Sequence, residues 1–260
     1  MKTIGLLCGL SWLSTIEYYR KMNQTISKAH GAQTSAKILM NSLNAGIVYD
    51  LFREKKYHDL TKLLIAESYR LVSAGADYIA ITCNSVHQFY SDIQEVIPVP
   101  VIHILEPLVK KLCENNIKKV GLLGTRFTIE SKFYSRYLSQ FGITVVYPHD
   151  EDITLVDKAI FNYCSSVENI ELKQLKLRLN CIFHEDDVDA IVLGCTELGI
   201  MLDGAREYFS VIDVASLHAE KLAYMSVEES EHAHLGTTAN KQAIRLVYDD
   251  LNYDHVHKSC

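Results

Sequence analysis

The sequence predicts an α/β fold built from two similar Rossmann-like domains. Their parallel sheets would be related by a pseudo-two-fold axis, with an active site in the cleft between them. Three observations support this prediction. Short apolar runs alternate with longer amphipathic stretches, the second half of the chain repeats motifs of the first, and 260 residues can form two small cores. Hydrophobic residues make up 48% of the chain, as in globular proteins.

Short apolar runs bounded by polar or turn-forming residues predict buried strands. They are residues 3–8, 36–40, 77–82, 101–104, 119–123, 143–147, 190–193 and 210–214. The segments between them have helical patterns. In one of these, Leu60, Leu64 and Leu71 share a face, and Gly75 is expected to end the helix. Strands that alternate with helices predict parallel sheets covered on both faces.

An internal repeat predicts that the two halves have the same fold. The segment IGLLCG around Gly5 matches VGLLGT around Gly121, and DYIAITC, which ends at Cys83, matches DAIVLGC, which ends at Cys195. The paired segments occur in the same order and at nearly the same spacing. Such a pattern indicates a duplicated α/β unit.

Charge and cysteine content limit the function classes. A formal net charge of −6 disfavours nucleic acid and anionic membrane surfaces as partners, and no apolar run approaches the length of a membrane span. The chain has 7 cysteines without a CxxC pair, and we interpret its N-terminal apolar run as the first core strand and not as an export signal. We therefore expect reduced thiols and a cytoplasmic location. Glycine-rich phosphate loops are missing from the sequence, which disfavours nucleotide binding.

Cys83 and Cys195 each stand where a predicted strand ends. Ligands of open parallel sheets bind beyond the carboxyl ends of the strands, and the helix N-termini that follow favour an anion. We therefore expect the two thiols to flank one cleft, in which Asn84, Ser85 and Thr196 hold a carboxylate.

Two thiols on opposite sides of one carbon suggest inversion of a stereocentre. One thiolate removes a proton from one face, and the other thiol returns a proton to the opposite face. Thiols suit this reaction because their ordinary pKa of about 8.5 is close to neutrality, and helix N-termini are expected to lower it further. The alternative for each cysteine is a small core residue without a chemical role.

Several motifs in the same order resemble the aspartate/glutamate racemase family, within the wider Asp/Glu/hydantoin racemase superfamily. They are GLLCGLSWLST at 5–15, CNSVH at 83–87, GLLGTRFT at 121–128, GCTEL at 194–198, and the late Asp213-to-His218 segment. The resemblance implies an amino-acid racemase of aspartate or glutamate that uses neither pyridoxal phosphate nor metal. It also implies discontinuous domains at 1–102 plus 208–226 and at 103–207, and a homodimer. Residues 227–260 would form a C-terminal extension that is partly helical or flexible.

The resemblance also implies roles for individual residues. Cys83 and Cys195 would transfer the protons. Asn84, Ser85, Thr125 and Thr196 would hold the substrate carboxylate. The loop Gly9, Leu10 and Ser11 would close over the substrate's other side, and the loop at Asn44 would face its side chain.

Two basic residues are candidates for a substrate carboxylate. They are Arg126, whose alternative is a solvent-facing or interface position, and Lys158, for which a solvated helix face is favoured. The tail contains HxH pairs at His232 and His255, a weak metal-site pattern for which a solvated tail is favoured.

This chain departs from the family pattern at several positions, which leaves the substrate open. Cys8, Leu10 and Leu13 replace Gly, Met and Glu of the family, and Asn44 stands in a loop that often carries an acidic residue. Related chemistries on the same scaffold remain alternatives: hydantoin racemisation, maleate isomerisation and arylmalonate decarboxylation. A non-catalytic carboxylate-binding protein is the alternative from another functional class.

Overall fold

A computed structural model describes residues 1–165, 169–179, 181–184, 186–202 and 210–227. Its strands are β1 (Ile4–Cys8), β2 (Ile38–Ser42), β3 (Tyr78–Ile81), β4 (Lys119–Leu123), β5 (Thr144–Val146), β6 (Ala190–Leu193) and β7 (Val211–Asp213). Its α-helices are α1 (Trp12–His30), α2 (Ala45–Arg53), α3 (Tyr57–Ser73), α4 (Tyr90–Val96), α5 (Glu106–Glu114), α6 (Arg126–Ser131), α7 (Phe133–Leu138), α8 (Asp150–Cys164), α9 (Ile170–Arg178), α10 (Thr196–Met201) and α11 (Val214–Val227). Short 3-10 helices cover Ser85–Phe89 and Ser139–Phe141.

The strands form two parallel sheets with related topologies. The first has the order β2-β1-β3, and the second has the order β5-β4-β6-β7. In the first half, β1 lies between β2 and β3, and in the second half, β4 lies between β5 and β6. The predicted α/β fold with two similar parallel sheets is therefore confirmed.

The repeated aspartates have the same structural role in both halves. The Asp77 carboxylate accepts a hydrogen bond from the Thr3 N–H at 2.5 Å. The Asp189 carboxylate accepts from the N–H groups of Lys118 and Lys119, both at 2.8 Å. Each aspartate thus ties the start of its own strand to the start of the neighbouring strand. This shared role explains why the aspartate recurs at the same distance before each cysteine.

The repeated glycines allow close packing at equivalent places. A Cβ atom on Gly5 would lie 2.6 Å from Cδ1 of Ile79, and one on Gly121 would lie 2.7 Å from the ring of Phe183. Each glycine is paired in register with a residue of the third strand of its half, Gly5 with Ile79 and Gly121 with Ile191. A side chain at either position would push neighbouring residues apart.

Two predicted strands differ from the structure. The segment at 101–104 forms only an isolated bridge between Val101 and Ile79, because Pro98 and Pro100 lack N–H donors and a turn leads directly into α5. The family resemblance assigns residues 208–226 to the first domain, but the strand in this segment does not join the first sheet, because β7 pairs with β6, with Ile191 opposite Val211.

Helix α11 connects back to the first half of the chain. Its residues Ala215, Ala219 and Leu222 belong to the same core as Ile4 and Leu6 of β1. The Leu222 carbonyl accepts a hydrogen bond from the Tyr78 hydroxyl at 2.6 Å, and the Ser226 carbonyl accepts from the Lys2 N–H at 2.7 Å. The helix therefore stabilises the first sheet although the strand before it belongs to the second.

In the described part of the chain, no helix has the length and apolar character needed to cross a bilayer. Residues 228–260, which include the HxH pairs at His232 and His255 and all of the predicted 227–260 extension except Val227, lie outside the described residues. The predicted domain boundaries remain a prediction.

Candidate active site

One narrow cavity brings both repeated cysteines together at the carboxyl ends of the two sheets. Its volume is about 30 Å³, which is room for one or two water molecules. The walls therefore have to separate before an amino acid can enter. The lining residues are Leu10, Ser11, Ser14, Tyr49, Thr82, Cys83, Asn84, Ser85, Thr125, Ile160, Cys164, Gly194, Cys195, Thr196 and Glu197.

Cys83 follows β3 and precedes the 3-10 helix Ser85–Phe89. The backbone is held by His87, whose Nδ1–H donates to the Cys83 carbonyl at 2.8 Å. Burial raises the pKa of the Cys83 thiol to about 11, although the N–H groups of Val86 and Ser85 act in the opposite direction. Cys83 is therefore a neutral thiol at neutral pH, which suits a proton donor.

Cys195 follows β6 and is the N-cap residue of α10. Its thiol donates to Oε2 of Glu197 at 2.9 Å, and the Ser14 hydroxyl donates to Oε1 of the same carboxylate at 2.7 Å. Burial, together with the charge and hydrogen bond of Glu197, raises the pKa of Cys195 well above its usual value. A proton acceptor thus stands next to one of the two thiols.

The thiol pKa values contradict a prediction made from the sequence. Helix N-termini were expected to lower them, but both pKa values are raised. At Cys83 the loss of hydration outweighs the nearby N–H groups, and at Cys195 the loss of hydration and Glu197 act in the same direction. Each thiol has to lose its proton to become a base. In the described residues, Glu197 is the group placed to take that proton from Cys195.

A second part of the cavity wall carries buried polar groups with spare hydrogen-bonding capacity. The Asn84 side chain accepts from the Tyr134 hydroxyl at 2.6 Å through its oxygen, whereas its Nδ2 has no partner. The hydroxyl of Thr82 is also buried without a partner. A buried donor without a partner costs free energy, so both groups suit a polar ligand such as a carboxylate.

Three hydroxyl groups join the two halves beside Cys83. Ser85 Oγ lies 3.2 Å from Thr125 Oγ1 and 3.0 Å from Thr128 Oγ1, and the two threonine hydroxyls are 3.2 Å apart. Ser85 and Thr125 line the cavity, as does Thr196 at the start of α10. The structure therefore places these predicted carboxylate-binding residues on one cavity.

The loop after β1 closes one side of the cavity. Gly9 has φ of +85°, and a Cβ atom there would lie 2.4 Å from the Leu43 carbonyl oxygen. Its N–H donates to the Thr15 hydroxyl at 3.0 Å. Leu10 and Ser11 line the cavity, whereas Gly9 is not one of its lining residues. Gly9 thus shapes the site through its backbone.

Other predicted residues lie outside the cavity. The Asn44 side chain is exposed and caps α2 by accepting from the Gly46 N–H at 2.9 Å. Lys158, a candidate for a substrate carboxylate, is exposed in a groove between α8 and α9 and does not line the narrow cavity. The Arg126 guanidinium donates to Asp150 at 2.8 Å.

Sequence reasoning missed several lining residues. Glu197 carried a signal, since it lies within the GCTEL motif directly after Cys195, and Ser14 lies within the first motif. Cys164 is the last residue of α8, and its sulfur lies 4.0 Å from Ser11 Oγ. Burial raises the pKa of Cys164 to about 12. The sequence carried no signal that α8 contributes to the site.

A larger cavity, of about 450 Å³, lies between α1, α10 and α11. Acidic and basic side chains share its wall, including Glu17, Arg20 and Asp213, but no thiol lines it among the described residues. The candidate site is therefore assigned to the narrow cavity because the two repeated thiols line it, although its volume is smaller.

Comparisons with known proteins agree with the motifs and the fold. The Asp/Glu/Hydantoin racemase family matches residues 7–222. A broad specificity amino-acid racemase, RacX of Bacillus subtilis (strain 168), is 26% identical over 234 residues, which cover 86% of this chain and 100% of the relative.

Two solved structures are also similar. A candidate Asp/Glu racemase from Yersinia pestis has 30% identity and a TM-score of 0.79 over 88% of this chain and 100% of the other. An aspartate racemase homologue from Pyrococcus horikoshii OT3 has 27% identity and a TM-score of 0.74 over the same shares of 88% and 100%. With its two sheets, its paired cysteines and these similarities, the chain belongs to the Asp/Glu/hydantoin racemase family.

Proposed function

We propose that this protein is an amino-acid racemase that inverts the α-carbon of its substrate by two-thiol chemistry, without pyridoxal phosphate or metal. The observation that carries the proposal is the single cavity lined by Cys83 and Cys195, with Glu197 hydrogen-bonded to one of them. Aspartate and glutamate are the substrates that the sequence resemblance implies.

The substrate carboxylate would bind to the part of the cavity wall that carries Asn84, Ser85, Thr125 and Thr196. The unpartnered Nδ2 of Asn84 would donate to it, together with the hydroxyls of Ser85, Thr125 and Thr196. Such donors also stabilise the negative charge that develops on the carboxylate when the α-proton leaves. Donors fixed in a buried site contribute strongly to the rate because they need little rearrangement.

In one direction, Cys195 would act as the base. Its proton passes to Glu197, the resulting thiolate removes the α-proton, and the Cys83 thiol protonates the carbanion from the opposite face. One turnover leaves a Cys83 thiolate, a Cys195 thiol and a protonated Glu197, so the number of protons is conserved. The starting state returns when Glu197 releases its proton to water and Cys83 takes one up. In the other direction, the Cys83 thiolate removes the α-proton and Cys195 returns one.

Proton NMR in D2O tests this proposal. The pure protein, without added pyridoxal phosphate and with EDTA, is incubated with single enantiomers of amino acids, beginning with aspartate and glutamate. We expect loss of the α-proton signal and appearance of the antipode from either enantiomer. The exposed Cys113 provides a control, since Cys113→Ala should keep full activity. Binding without exchange for every amino acid would instead indicate a carboxylate-binding protein.

A further inference from the structure

Another part of the cavity lining, here called the apolar wall, is apolar or weakly polar. It is formed by Leu10, Tyr49, Ile160 and Cys164. Leu10 and Ile160 are almost fully buried, and Ile160 and Cys164 stand one turn apart on the same face of α8. This wall therefore contributes mainly hydrocarbon and sulfur to the cavity.

The Tyr49 hydroxyl does not offer this wall a free donor. It already donates to the Leu10 carbonyl oxygen at 2.9 Å. The Tyr49 ring packs edge-on against Phe161, with ring centroids 5.6 Å apart. Tyr49 therefore presents its ring to the cavity, and its hydroxyl stabilises the loop that carries Leu10.

The charged group of the cavity wall is a carboxylate. Glu197 is 3% exposed, and its two oxygens accept hydrogen bonds from Ser14 and Cys195. The negative charge of Glu197 attracts the α-ammonium group that every amino acid carries. A side-chain carboxylate in this cavity would need a cation of its own, because an unpaired charge in a poorly hydrated site is costly.

The two basic residues that the sequence suggested for a side-chain carboxylate are placed elsewhere. Arg126 donates to Asp150 and Thr154, both at 2.8 Å. Lys158 stands two positions before Ile160, which puts it on the opposite face of α8 from the cavity. Among the lining residues that the structure describes, none is lysine, arginine or histidine.

We infer that the substrate is an amino acid whose side chain carries no negative charge, selected by the apolar wall and by the lack of a cationic side chain among the described lining residues. This inference rests on the proposed racemase function and departs from the aspartate or glutamate that the sequence resemblance implies. The carboxylate of an aspartate or glutamate side chain would lose its water without gaining a cation, and burial of an unpaired charge is costly. We expect kcat/KM for aspartate and glutamate to be roughly 100-fold lower than for the best non-acidic substrate.

A substrate panel tests the inference with the wild-type protein. L-alanine, L-serine, L-methionine and L-lysine are compared with L-aspartate and L-glutamate by α-proton exchange in D2O. Exchange that is fastest for a non-acidic amino acid, with both acidic ones roughly 100-fold slower, supports the inference. If aspartate or glutamate exchanges within tenfold of the fastest substrate, the inference is overturned while the racemase function stands. A complete lack of exchange would remove the proposed function itself, and the inference with it.

A charge introduced into the apolar wall provides a second test. Cys164→Lys places an ammonium group at the cavity, whereas Cys113→Lys makes the same change on the exposed face of α5. We expect Cys164→Lys to raise the ratio of aspartate to alanine kcat/KM at least tenfold, and Cys113→Lys to leave it unchanged. An unchanged ratio in a folded Cys164→Lys protein would show that this wall does not select the side chain.

Discussion

The hydrogen bond between Cys195 and Glu197 predicts a specific response to Glu197→Gln. Glutamine is almost the same size and keeps an oxygen for the Ser14 hydroxyl, which lies 2.7 Å from Oε1. It removes the negative charge and the oxygen that accepts from the Cys195 thiol at 2.9 Å. The change therefore tests the carboxylate as a proton acceptor with little change in packing.

The substitution should lower the thiol pKa and also slow the reaction. If the thiol pKa alone set the rate, a lower pKa would make the reaction faster. The pKa of Cys195 should fall, because the charge and hydrogen bond of Glu197 raise it. Racemisation should nevertheless slow down, since the proton of Cys195 has lost its acceptor. A hydrogen bond to a charged group contributes about 1.5–3 kcal/mol, and general base catalysis contributes roughly 10²–10⁴ in rate. We expect kcat to fall by about 100-fold.

Two assays on the same protein separate these effects. The pH dependence of iodoacetamide alkylation at Cys195, followed by peptide mass spectrometry, reports the thiol pKa. Proton NMR in D2O reports kcat. Glu114→Gln is the control, because Glu114 is an exposed residue that pairs with Lys110 at 3.9 Å. Alkylation that shifts to lower pH with kcat unchanged or increased would refute the assignment of Glu197 as proton acceptor.

Three further predictions concern binding and stability. Asn84→Asp keeps the oxygen that accepts from Tyr134 but removes the Nδ2 donor, so KM should rise about 10- to 100-fold in steady-state kinetics; an unchanged KM would contradict the assigned carboxylate contact. Gly9→Ala should lower the free energy of unfolding in urea by about 1–3 kcal/mol, because φ is +85° and the new Cβ meets the Leu43 carbonyl. Gly31→Ala, with φ of +99° and open space around the Cβ, should cost less, and equal losses would contradict the clash. Burial lowers the pKa of His87 and of His103 to about 3, so the unfolded chain binds protons first; stability should be fully present above pH 6.5 and decline as the pH falls toward 3. Urea unfolding at pH 7, 5 and 4 checks this, and a constant free energy of unfolding over that range would contradict it.

Much of the fold could be predicted because the signals are local. The runs at Lys119–Leu123 and Ala190–Leu193 are bounded by polar and turn-forming residues, and the observed strands match those predictions. The two errors concern pairing. Val101 makes a single bridge because prolines precede it, and β7 joins the edge left free by β6. Which sheet accepts an edge strand depends on tertiary packing rather than on the strand's own residues.

The site was predictable where the repeat marked it and not elsewhere. Cys83 and Cys195 stand at equivalent ends of equivalent strands, so symmetry alone brought them to one cavity. The contact between Ser14 and Glu197 joins residues far apart in sequence, and no local pattern indicates it. Lys158 shows the converse case, because its position on α8 depends on which face of the helix meets the core.

The central claim is that Cys83 and Cys195 are both required for inversion. The most direct test is racemisation of the best substrate in D2O by Cys83→Ala and Cys195→Ala, with Cys113→Ala as the control and thermal unfolding to verify folding. We predict that each site variant loses inversion of both enantiomers by at least 10³-fold, within the range for loss of a general acid or base, whereas the control keeps wild-type rates. Inversion that persists in either folded site variant would contradict the two-thiol account.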